Sequence, residues 1–328
     1  MPVSGPEVLV VGAGVSGLTT AVCLAEAGLS VEIRADRLPP DTTSAVAGAI
    51  WGPHLVESGE RAARWRRVTL AVLRELAAAP AGEGTGVRIA EGIQVFRGPP
   101  GAPPEWIGDL GGYRPCRPAE LPPGFSTGWR YAAPLAHMPT YLGYLRARFE
   151  RAGGRLGVGT VASLAGAARE GGARVVVNCS GAHARQLAGD PEVTPVRGQA
   201  VVAANPGLTE FVIAPGDSTA ELAYVFPQGE EVILGGSEAA GDWNLEPVPA
   251  VADRILRDCT AIEPRLRGTR VLGHRVGLRP ARPTVRLEAE PGDGGPLIVH
   301  NYGHGGGGIT LSWGCAREAA ALAAEHLG

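Results

Sequence analysis

The stretch VLVVGAGVSGL at residues 8–18 decides the fold. Its first four residues are uniformly apolar, which is typical of a strand that is covered on both faces in a parallel sheet. Three glycines follow in the pattern GxGxxG, and apolar residues then recur at helical spacing as far as Gly28. A second strand, 31–33, leads to Asp36. This order of strand, glycine turn, helix, strand and acid predicts a nucleotide-binding unit at the start of an α/β fold.

Each glycine of this turn has a physical use. Gly12 permits the tight turn, Gly14 lets the backbone approach a pyrophosphate, and Gly17 allows the helix to pack closely. The helix then directs free N–H groups and its positive dipole end at the phosphates. Asp36 is predicted to bind an adenosine ribose, although a solvated turn acid is the alternative. Because Arg34 and Arg37 lie beside Asp36, NADP is an alternative nucleotide.

The composition excludes several functional classes. The chain has 328 residues, of which 45% are hydrophobic and 19% charged, as in a globular protein of one large or two interleaved domains. All 30 basic residues are arginine, which excludes chemistry that needs a lysine amine, such as Schiff-base catalysis, and suggests a bacterial source. The net charge of −3 comes from interspersed charges. It predicts a small-molecule ligand and no nucleic-acid or membrane partner.

Neither a metal site nor a disulfide framework is expected. The five cysteines are scattered and lack CxxC spacing. His54, His300 and His304 lack carboxylate or cysteine partners at metal spacing, so they are predicted to pack or to form hydrogen bonds. No charged leader precedes the first strand, and no apolar run is long enough to span a bilayer. A cytoplasmic location is therefore predicted.

Beyond the first unit, segments of helical and strand pattern alternate. Residues 42–51 are small and hydroxylated, which suits close approach of a ligand, whereas the Pro- and Gly-rich residues 92–125 predict loops with short strands. The buried strand and small-residue turn at 174–181 resemble the first ones and indicate that the chain returns to the same domain. A β-rich segment at 199–236 contains a hairpin. Helices are predicted at 59–79, 140–152 and 309–327, and a further strand at 297–299.

Two interleaved domains are predicted from this pattern. The first is a discontinuous, Rossmann-like domain, a parallel sheet with flanking helices, which comprises residues 1–55, 135–195 and 280–328. The second is a β-rich substrate domain that comprises residues 56–134 and 196–279. The cofactor and the substrate are expected to meet at their boundary.

A run of glycines interrupted only by His304 fills residues 303–308. Glycines lose the most backbone entropy on folding, so such a run needs a reason. Close backbone approach to a flat ligand provides one, because a helix that begins near Ile309 would direct its positive end at that ligand. A flexible loop is the alternative.

Two arginines, Arg279 and Arg282, each precede a proline that stiffens the backbone. A bidentate carboxylate clamp and a surface salt bridge are equally compatible with this local sequence. Tyr224 and Phe226 share one face of a strand, and core packing is the default interpretation of that pattern.

Six motifs, in order, cover the chain almost from end to end. They are GAGVSGL (12–18), the segment 42–51, VNCSG (177–181), VRGQ (196–199), GLRPARP (277–283) and HNYGHG (300–305). Together they resemble the D-amino-acid oxidase and D-aspartate oxidase family, and the first of these more closely. The resemblance implies a non-covalent FAD. It also implies oxidative deamination of D-amino acids to 2-oxo acids, ammonia and hydrogen peroxide, by hydride transfer to flavin N5.

The resemblance also implies roles for individual residues. Arg279 corresponds to the arginine that binds the substrate carboxylate, Tyr224 to a second donor to that carboxylate, and Gly306 to the carbonyl that faces the amine. The implied substrate pocket consists of His54, Ile213, Tyr224, Glu238, Arg279 and Gly306. The implied FAD contacts are Gly12, Gly14, Val15, Ser16, Gly17, Asp36, Arg37, Thr42, Thr43, Ser44, Gly48, Ala49, Val161, Cys179, Ser180, Gly181, Arg279, Gly305, Gly306, Gly308, Ile309 and Thr310.

Departures from the family pattern concern the substrate side chain. The segment between Phe211 and Tyr224 is shorter than the active-site lid of the vertebrate oxidases. D-Aspartate oxidases use arginines for the second carboxylate, but Glu238 stands where one of them is expected, and a buried glutamate would repel an acidic substrate. Neutral side chains, including branched ones, or basic side chains are therefore predicted.

Several other functions remain open at this point. D-Aspartate oxidation and glycine or sarcosine oxidation share the fold, and a flavin-binding module without chemistry or a nicotinamide dehydrogenase would share the glycine turn. The expected partners are a D-amino acid and molecular oxygen, and a homodimer is one possible assembly. No acid–base dyad is evident in the sequence, as hydride transfer from a neutral amine predicts.

Overall fold

The computed structural model of this chain describes residues 5–54, 59–80, 84–99, 101–215, 222–291 and 295–328. Its helices are α1 (Val15–Glu26), α2 (Glu60–Ala78), α3 (Met138–Arg151), α4 (Leu164–Gly171), α5 (Ala184–Leu187), α6 (Pro249–Ile262) and α7 (Gly308–Leu327). Its strands are β1 (Val8–Val11), β2 (Val31–Ala35), β3 (Val87–Phe96), β4 (Arg114–Pro115), β5 (Thr127–Ala136), β6 (Arg155–Val158), β7 (Val175–Asn178), β8 (Thr194–Ala204), β9 (Phe211–Pro215), β10 (Leu222–Gln228), β11 (Glu231–Gly235), β12 (Ala239–Ala240), β13 (Val271–Ala281), β14 (Arg286–Glu290) and β15 (Leu297–Tyr302).

Six strands form the first sheet, in the order β14-β15-β7-β1-β2-β6. All neighbours are parallel except β14 and β15, which are antiparallel. Strand β1 lies between β2 and β7, so the predicted return of the chain at 174–181 is confirmed. The carboxyl ends of β1, β2 and β7 therefore open at the same edge of the sheet, where α/β folds bind ligands.

Helices cover both faces of this sheet, as the apolar run of β1 predicts. Val8 and Val10 are fully buried in one cluster with Leu18 of α1. Leu9 and Val11 pack on the opposite face, in a cluster with Leu164 of α4. Every β1 side chain is thus removed from water, which explains the absence of the polar alternation typical of a half-exposed strand. The predicted parallel sheet with flanking helices is confirmed.

Nine strands form the second sheet, in the order β12-β8-β11-β10-β9-β3-β5-β4, with β13 paired to β8. Its pairs are antiparallel except that of β3 and β9. The predicted hairpin is confirmed, since Phe226 pairs with Ile233 between β10 and β11. Ile255 and Cys259 of α6 pack against one face of this sheet.

The prediction of loops with short strands over 92–125 is wrong at its start. Gly92 lies inside the ten-residue strand β3, which pairs with β5 along its whole length. A Cβ at this position would fall 2.4 Å from Cγ of the Phe211 ring, so the glycine is needed for close packing between strands. Glycine marks a tight contact here and not a turn.

One continuous cluster of buried residues joins the two sheets. It contains Val10 of the first sheet together with Val202 and Phe226 of the second. Strand β13, which ends at Ala281, also runs past the expected boundary at residue 280. The domain division given above therefore stays a prediction. Over the described residues, no helix combines the length and the apolarity that a membrane span requires.

Candidate active site

A cavity of about 1040 Å³ lies between the two sheets. Its walls include the turns that follow β1, β2 and β7, the segment 42–51, and residues of β10 and β13. An elongated ligand in this cavity would contact the edge of the parallel sheet and the face of the antiparallel sheet together. Large, partly apolar concavities of this kind are the usual sites of cofactors.

The glycine turn after β1 leaves the start of α1 open to the cavity. Gly12 has φ +109°, and a Cβ there would lie 2.5 Å from the Cys179 carbonyl oxygen, so only glycine fits. Gly14 caps α1 without a side chain. The N–H of Val15 donates to Ser44 Oγ at 2.9 Å, which fixes the segment 42–51 beside this helix end. The result is a helix N-terminus suited to an anion.

A second helix end faces the same cavity. Gly303 and Gly305 have φ of +86° and +53°, and the N–H of Gly305 donates to the Pro280 carbonyl at 2.8 Å. Gly307 then caps α7, whose first turn, 308–311, is uncharged. The glycine run is therefore ordered against the end of β13, and the flexible-loop alternative is not supported. Three glycines of the run, Gly305, Gly306 and Gly308, line the cavity.

The segment 42–51 carries one strained residue. Ala49 has φ +57°, a conformation that side chains other than glycine rarely adopt, and it lines the cavity. Gln228 holds the neighbouring backbone, because its Nε2 donates to the Gly48 carbonyl at 3.1 Å. Such outliers occur where a backbone is shaped for a ligand, and this one lies where the sequence predicts cofactor contacts.

Most of the sequence-predicted cofactor residues are brought together in this one cavity. The residues that line it are Gly12, Gly14, Val15, Ser16, Asp36, Arg37, Thr42, Thr43, Ser44, Gly48, Ala49, Val161, Cys179, Ser180, Gly181, Arg279, Gly305, Gly306, Gly308 and Ile309. Gly17 and Thr310 do not line it. A Cβ at Gly17 would overlap the Gly12 carbonyl, and Thr310 Oγ1 donates to the Gly52 carbonyl at 2.9 Å. Both residues shape the walls without lining the cavity.

Arg279 and Tyr224 converge at the substrate end. A Cβ at Gly198 would lie 2.5 Å from Arg279 Nη1, and one at Gly235 would overlap the Tyr224 ring, so these two glycines make room for both side chains. Arg279 Nη1 donates to the Ser237 carbonyl at 2.9 Å, which fixes the guanidinium. Burial raises the pKa of the Tyr224 hydroxyl, which therefore stays a hydrogen-bond donor at neutral pH.

The two arginines of GLRPARP separate into different roles. Arg279 lines the cavity, whereas Arg282 binds Asp190 at 3.0 Å and Glu192 at 2.5 Å. Asp190 also accepts a hydrogen bond from the Tyr302 hydroxyl at 2.8 Å. The salt-bridge interpretation therefore applies to Arg282, and the clamp interpretation is left to Arg279 alone.

His54 and Glu238 form a hydrogen-bonding contact that the sequence did not indicate. His54 Nε2 lies 2.7 Å from Glu238 Oε1, and a Cβ at Gly306 would lie 2.5 Å from His54 Cδ2. Burial lowers the pKa of His54; the Glu238 carboxylate opposes this shift, and Arg279 adds to it. The prediction that His54 packs or forms a hydrogen bond is confirmed, and folding brings its partner from a position that is distant in the sequence. Glu238 is half-buried and paired.

The remaining predictions concern Ile213, the lid segment and metal binding. Ile213 lines the cavity and pairs with Tyr224 across β9 and β10. Part of the lid segment, residues 216–221, lies outside the described residues. Among the described residues, no group of three His, Cys, Asp or Glu side chains could hold a metal ion.

Sequence reasoning missed the residues that position the site. Ser237 anchors Arg279, and Gly198 and Gly235 accommodate the two side chains that approach the cavity. Both glycines lie in short conspicuous strings, Val-Arg-Gly-Gln and Leu-Gly-Gly. A glycine that makes room for a functional side chain could have been suspected there, but its partner could not have been identified without the strand register.

The model of the FAD-dependent oxidoreductase family matches residues 7–322. The chain belongs to this family. Family members in other organisms include the D-amino-acid oxidase of Rubrobacter xylanophilus, 51% identical, which covers 97% of this chain and 96% of its own length. The human D-aspartate oxidase is 38% identical, over 97% of this chain and 95% of its own. Among solved structures, glycine oxidase from Geobacillus kaustophilus superposes with a TM-score of 0.80 at 20% identity, over 98% of this chain and 95% of its own, and shows the shared fold.

The cavity fits the family's FAD. Two helix ends with glycine caps and uncharged first turns open on it, as a diphosphate and an electron-rich ring require. Asp36 directly follows β2, where it would bind a ribose, and the strained Ala49 lines the same cavity. The chemistry of these donors matches a dinucleotide that extends from β2 towards Arg279.

Proposed function

We propose that this protein oxidises D-amino acids to imino acids, which hydrolyse to 2-oxo acids and ammonia, with oxygen reduced to hydrogen peroxide. When bound, FAD would supply a hydride acceptor at N5, and oxygen would take up the two electrons. The names of the relatives that cover nearly the whole chain support this reaction. So does the substrate end of the cavity.

The observation that carries the proposal is the convergence of Arg279 and Tyr224. Arg279 offers a planar, permanently charged fork suited to a carboxylate, and the protonated Tyr224 hydroxyl offers a second donor. The Tyr224 ring is stacked on Phe226 with centroids 4.5 Å apart, so the hydroxyl has little freedom to move. A substrate carboxylate held by both residues would be fixed in orientation.

Stereochemistry follows from a third contact. In this proposal the Gly306 carbonyl accepts a hydrogen bond from the substrate amine, while Arg279 and Tyr224 hold the carboxylate. With the carboxylate and the amine fixed and the side chain directed into the cavity, one direction is left for the Cα hydrogen, and only the D-enantiomer directs it at the flavin. The chain's contribution is then orientation of a neutral amine and not proton abstraction from Cα.

The side-chain preference in this proposal is neutral, including branched, or basic. Glu238 lines the cavity near Arg279 and puts a negative charge where an acidic substrate would place its second carboxylate. D-Aspartate oxidation, the named activity of the human relative, is therefore the less favoured alternative.

Peroxide release tests this proposal. The FAD-supplemented protein would be given the D- and L-forms of alanine, valine, arginine and aspartate, and also glycine and sarcosine. We expect peroxide from the neutral and basic D-isomers. Peroxide from D-aspartate alone would overturn the proposed preference, sarcosine oxidation faster than that of D-alanine would favour the glycine-oxidase alternative, and no peroxide from any compound would favour a non-catalytic flavin protein.

A further inference from the structure

The charged side chains at the substrate end form two separate functional units. In the first unit, the Ser237 carbonyl fixes Arg279. In the second, Glu238, which follows Ser237 in the chain, has its Oε1 2.7 Å from His54 Nε2. The first unit is positive and suits the α-carboxylate. The second is a carboxylate paired with an imidazole, and nothing in the proposed reaction requires it.

The pair carries a net negative charge at neutral pH. Burial lowers the pKa of His54, so its ring is neutral there, and its Nε2–H donates to the carboxylate. A neutral donor orients the Glu238 carboxylate without cancelling its charge. A carboxylate can accept about four hydrogen bonds, so the contact with His54 does not by itself saturate it.

The surrounding cavity suits a long side chain with a polar end. Ile213 and Leu222 line it beside Tyr224 and provide an apolar wall against which methylene groups can pack. When Arg279 has neutralised the α-carboxylate, the charge of Glu238 remains. A cationic group at the end of the substrate side chain would balance it, whereas a neutral side chain would leave it uncompensated and a carboxylate would add to it.

We infer that Glu238, oriented by His54, is the recognition site for a cationic side-chain end, and that the protein prefers D-arginine to its uncharged isostere D-citrulline. This inference rests on the proposed function. Glu238 sets specificity by contact with the substrate, and His54 is a positioning residue that acts through Glu238.

The first test compares the two isosteres in the FAD-bound protein. D-Arginine and D-citrulline have side chains of nearly equal size that differ in charge. The ratio of their kcat/KM values therefore reports the effect of the side-chain charge. We expect this ratio to exceed one in the unchanged protein and to fall about 10- to 100-fold in Glu238→Gln. Glu246→Gln removes the same charge from the same segment, at an exposed position outside the cavity, and should leave the ratio unchanged.

A binding measurement separates recognition from catalysis. The ligands 5-guanidinopentanoate and 5-ureidopentanoate are D-arginine and D-citrulline without the amine, so they cannot be oxidised. Calorimetry should give tighter binding of the guanidino compound to the unchanged protein, and Glu238→Gln should abolish the difference. Equal affinity of the two compounds for the unchanged protein would overturn the inference.

The pH dependence tests the role of His54. Glu238 and Arg279 are the charged groups that act on this ring, and Tyr224 interacts with both of them. As pH falls below the ordinary histidine range near 6.5, protonation of His54 makes the pair neutral, so the D-arginine to D-citrulline ratio should fall. In His54→Gln the ratio should stay constant over this range. A ratio independent of pH in the unchanged protein would contradict this role.

The outcomes distinguish this inference from the proposed function. If the protein oxidises D-valine but uses D-citrulline as well as D-arginine, only the inference fails. If it oxidises no D-amino acid, the proposed function fails, while the two amine-free ligands still report on Glu238. If Glu238→Gln lowers kcat equally for both substrates, the pair serves catalysis and not recognition.

Discussion

The nucleotide end and the substrate end of the cavity are built in different ways. The nucleotide end uses backbone: the glycine turn at Gly12 and Gly14 opens one helix end onto the cavity. The substrate end uses side chains: Arg279 and Tyr224 from strands of the second sheet, and Glu238 from the link between β11 and β12. Backbone sites are encoded by a short local pattern, whereas side-chain sites depend on strand register. Four variants probe this comparison, from the largest expected effect to the smallest.

Arg279→Gln should have the largest effect. It removes the guanidinium that we propose to bind the carboxylate and leaves the glycine turn untouched, so kcat/KM for D-valine should fall about 100- to 1000-fold. FAD affinity, measured by fluorescence titration of the apoprotein, should change little. A large loss of FAD affinity would show that the two ends are not separable.

His304→Gln tests the contact between the glycine run and the start of α1. His304 is buried, with Nε2 3.1 Å from Asn301 Oδ1 and Nδ1 3.4 Å from Ser16 Oγ. Burial lowers the pKa of His304 to about 4. Because the unfolded chain then binds the proton more readily, stability should decline as pH falls from about 6.5 towards 4.

Urea unfolding at two pH values measures this effect. Between pH 7 and pH 5 the unchanged protein should lose about 2 kcal/mol more of its unfolding free energy than His304→Gln does. Equal losses in the two proteins would mean that His304 does not titrate as described.

Arg282→Gln separates the two arginines of one motif. Arg282 binds the buried Asp190 at 3.0 Å, so its loss should lower the unfolding free energy by about 1 to 3 kcal/mol. Because Arg282 lies outside the cavity, kcat/KM for D-valine should stay within about two-fold. A loss of kcat/KM as large as that of Arg279→Gln would contradict the division of roles.

Ser44→Ala should have the smallest effect. It removes the acceptor of the Val15 N–H, a bond of 2.9 Å at the start of α1. The cost should be about 1 kcal/mol, which corresponds to FAD binding about five-fold weaker. Ser30→Ala, at an exposed position outside the cavity, is the control and should leave FAD affinity unchanged in the same titration.

The sequence predicts the nucleotide end well because its signals are local. The strand, glycine turn and helix of residues 8–28 are where the pattern puts them, and the small-residue turn at Cys179 lies beside Gly12. The sequence predicts the hairpin and the shared face of Tyr224 and Phe226 equally well, since side chains alternate along a strand with a period of two.

The substrate end could be predicted only in part. Local sequence could not choose between Arg279 and Arg282, because the partners of Arg282 lie about 90 residues away in the chain. It could not pair His54 with Glu238 for the same reason. Gly92 was misread because glycine marks both turns and close strand contacts, and only the position of Phe211 decides between them.

Anaerobic reduction of the bound flavin tests whether Arg279 orients a D-amino acid for hydride transfer. The FAD-bound protein would be mixed with D-valine or L-valine without oxygen, and the visible absorbance of the flavin would be followed in a single turnover. We expect rapid bleaching by D-valine, no bleaching by L-valine, and slow bleaching by D-valine in Arg279→Gln. Equal bleaching by both enantiomers, or rates unaffected by Arg279→Gln, would contradict this role of Arg279.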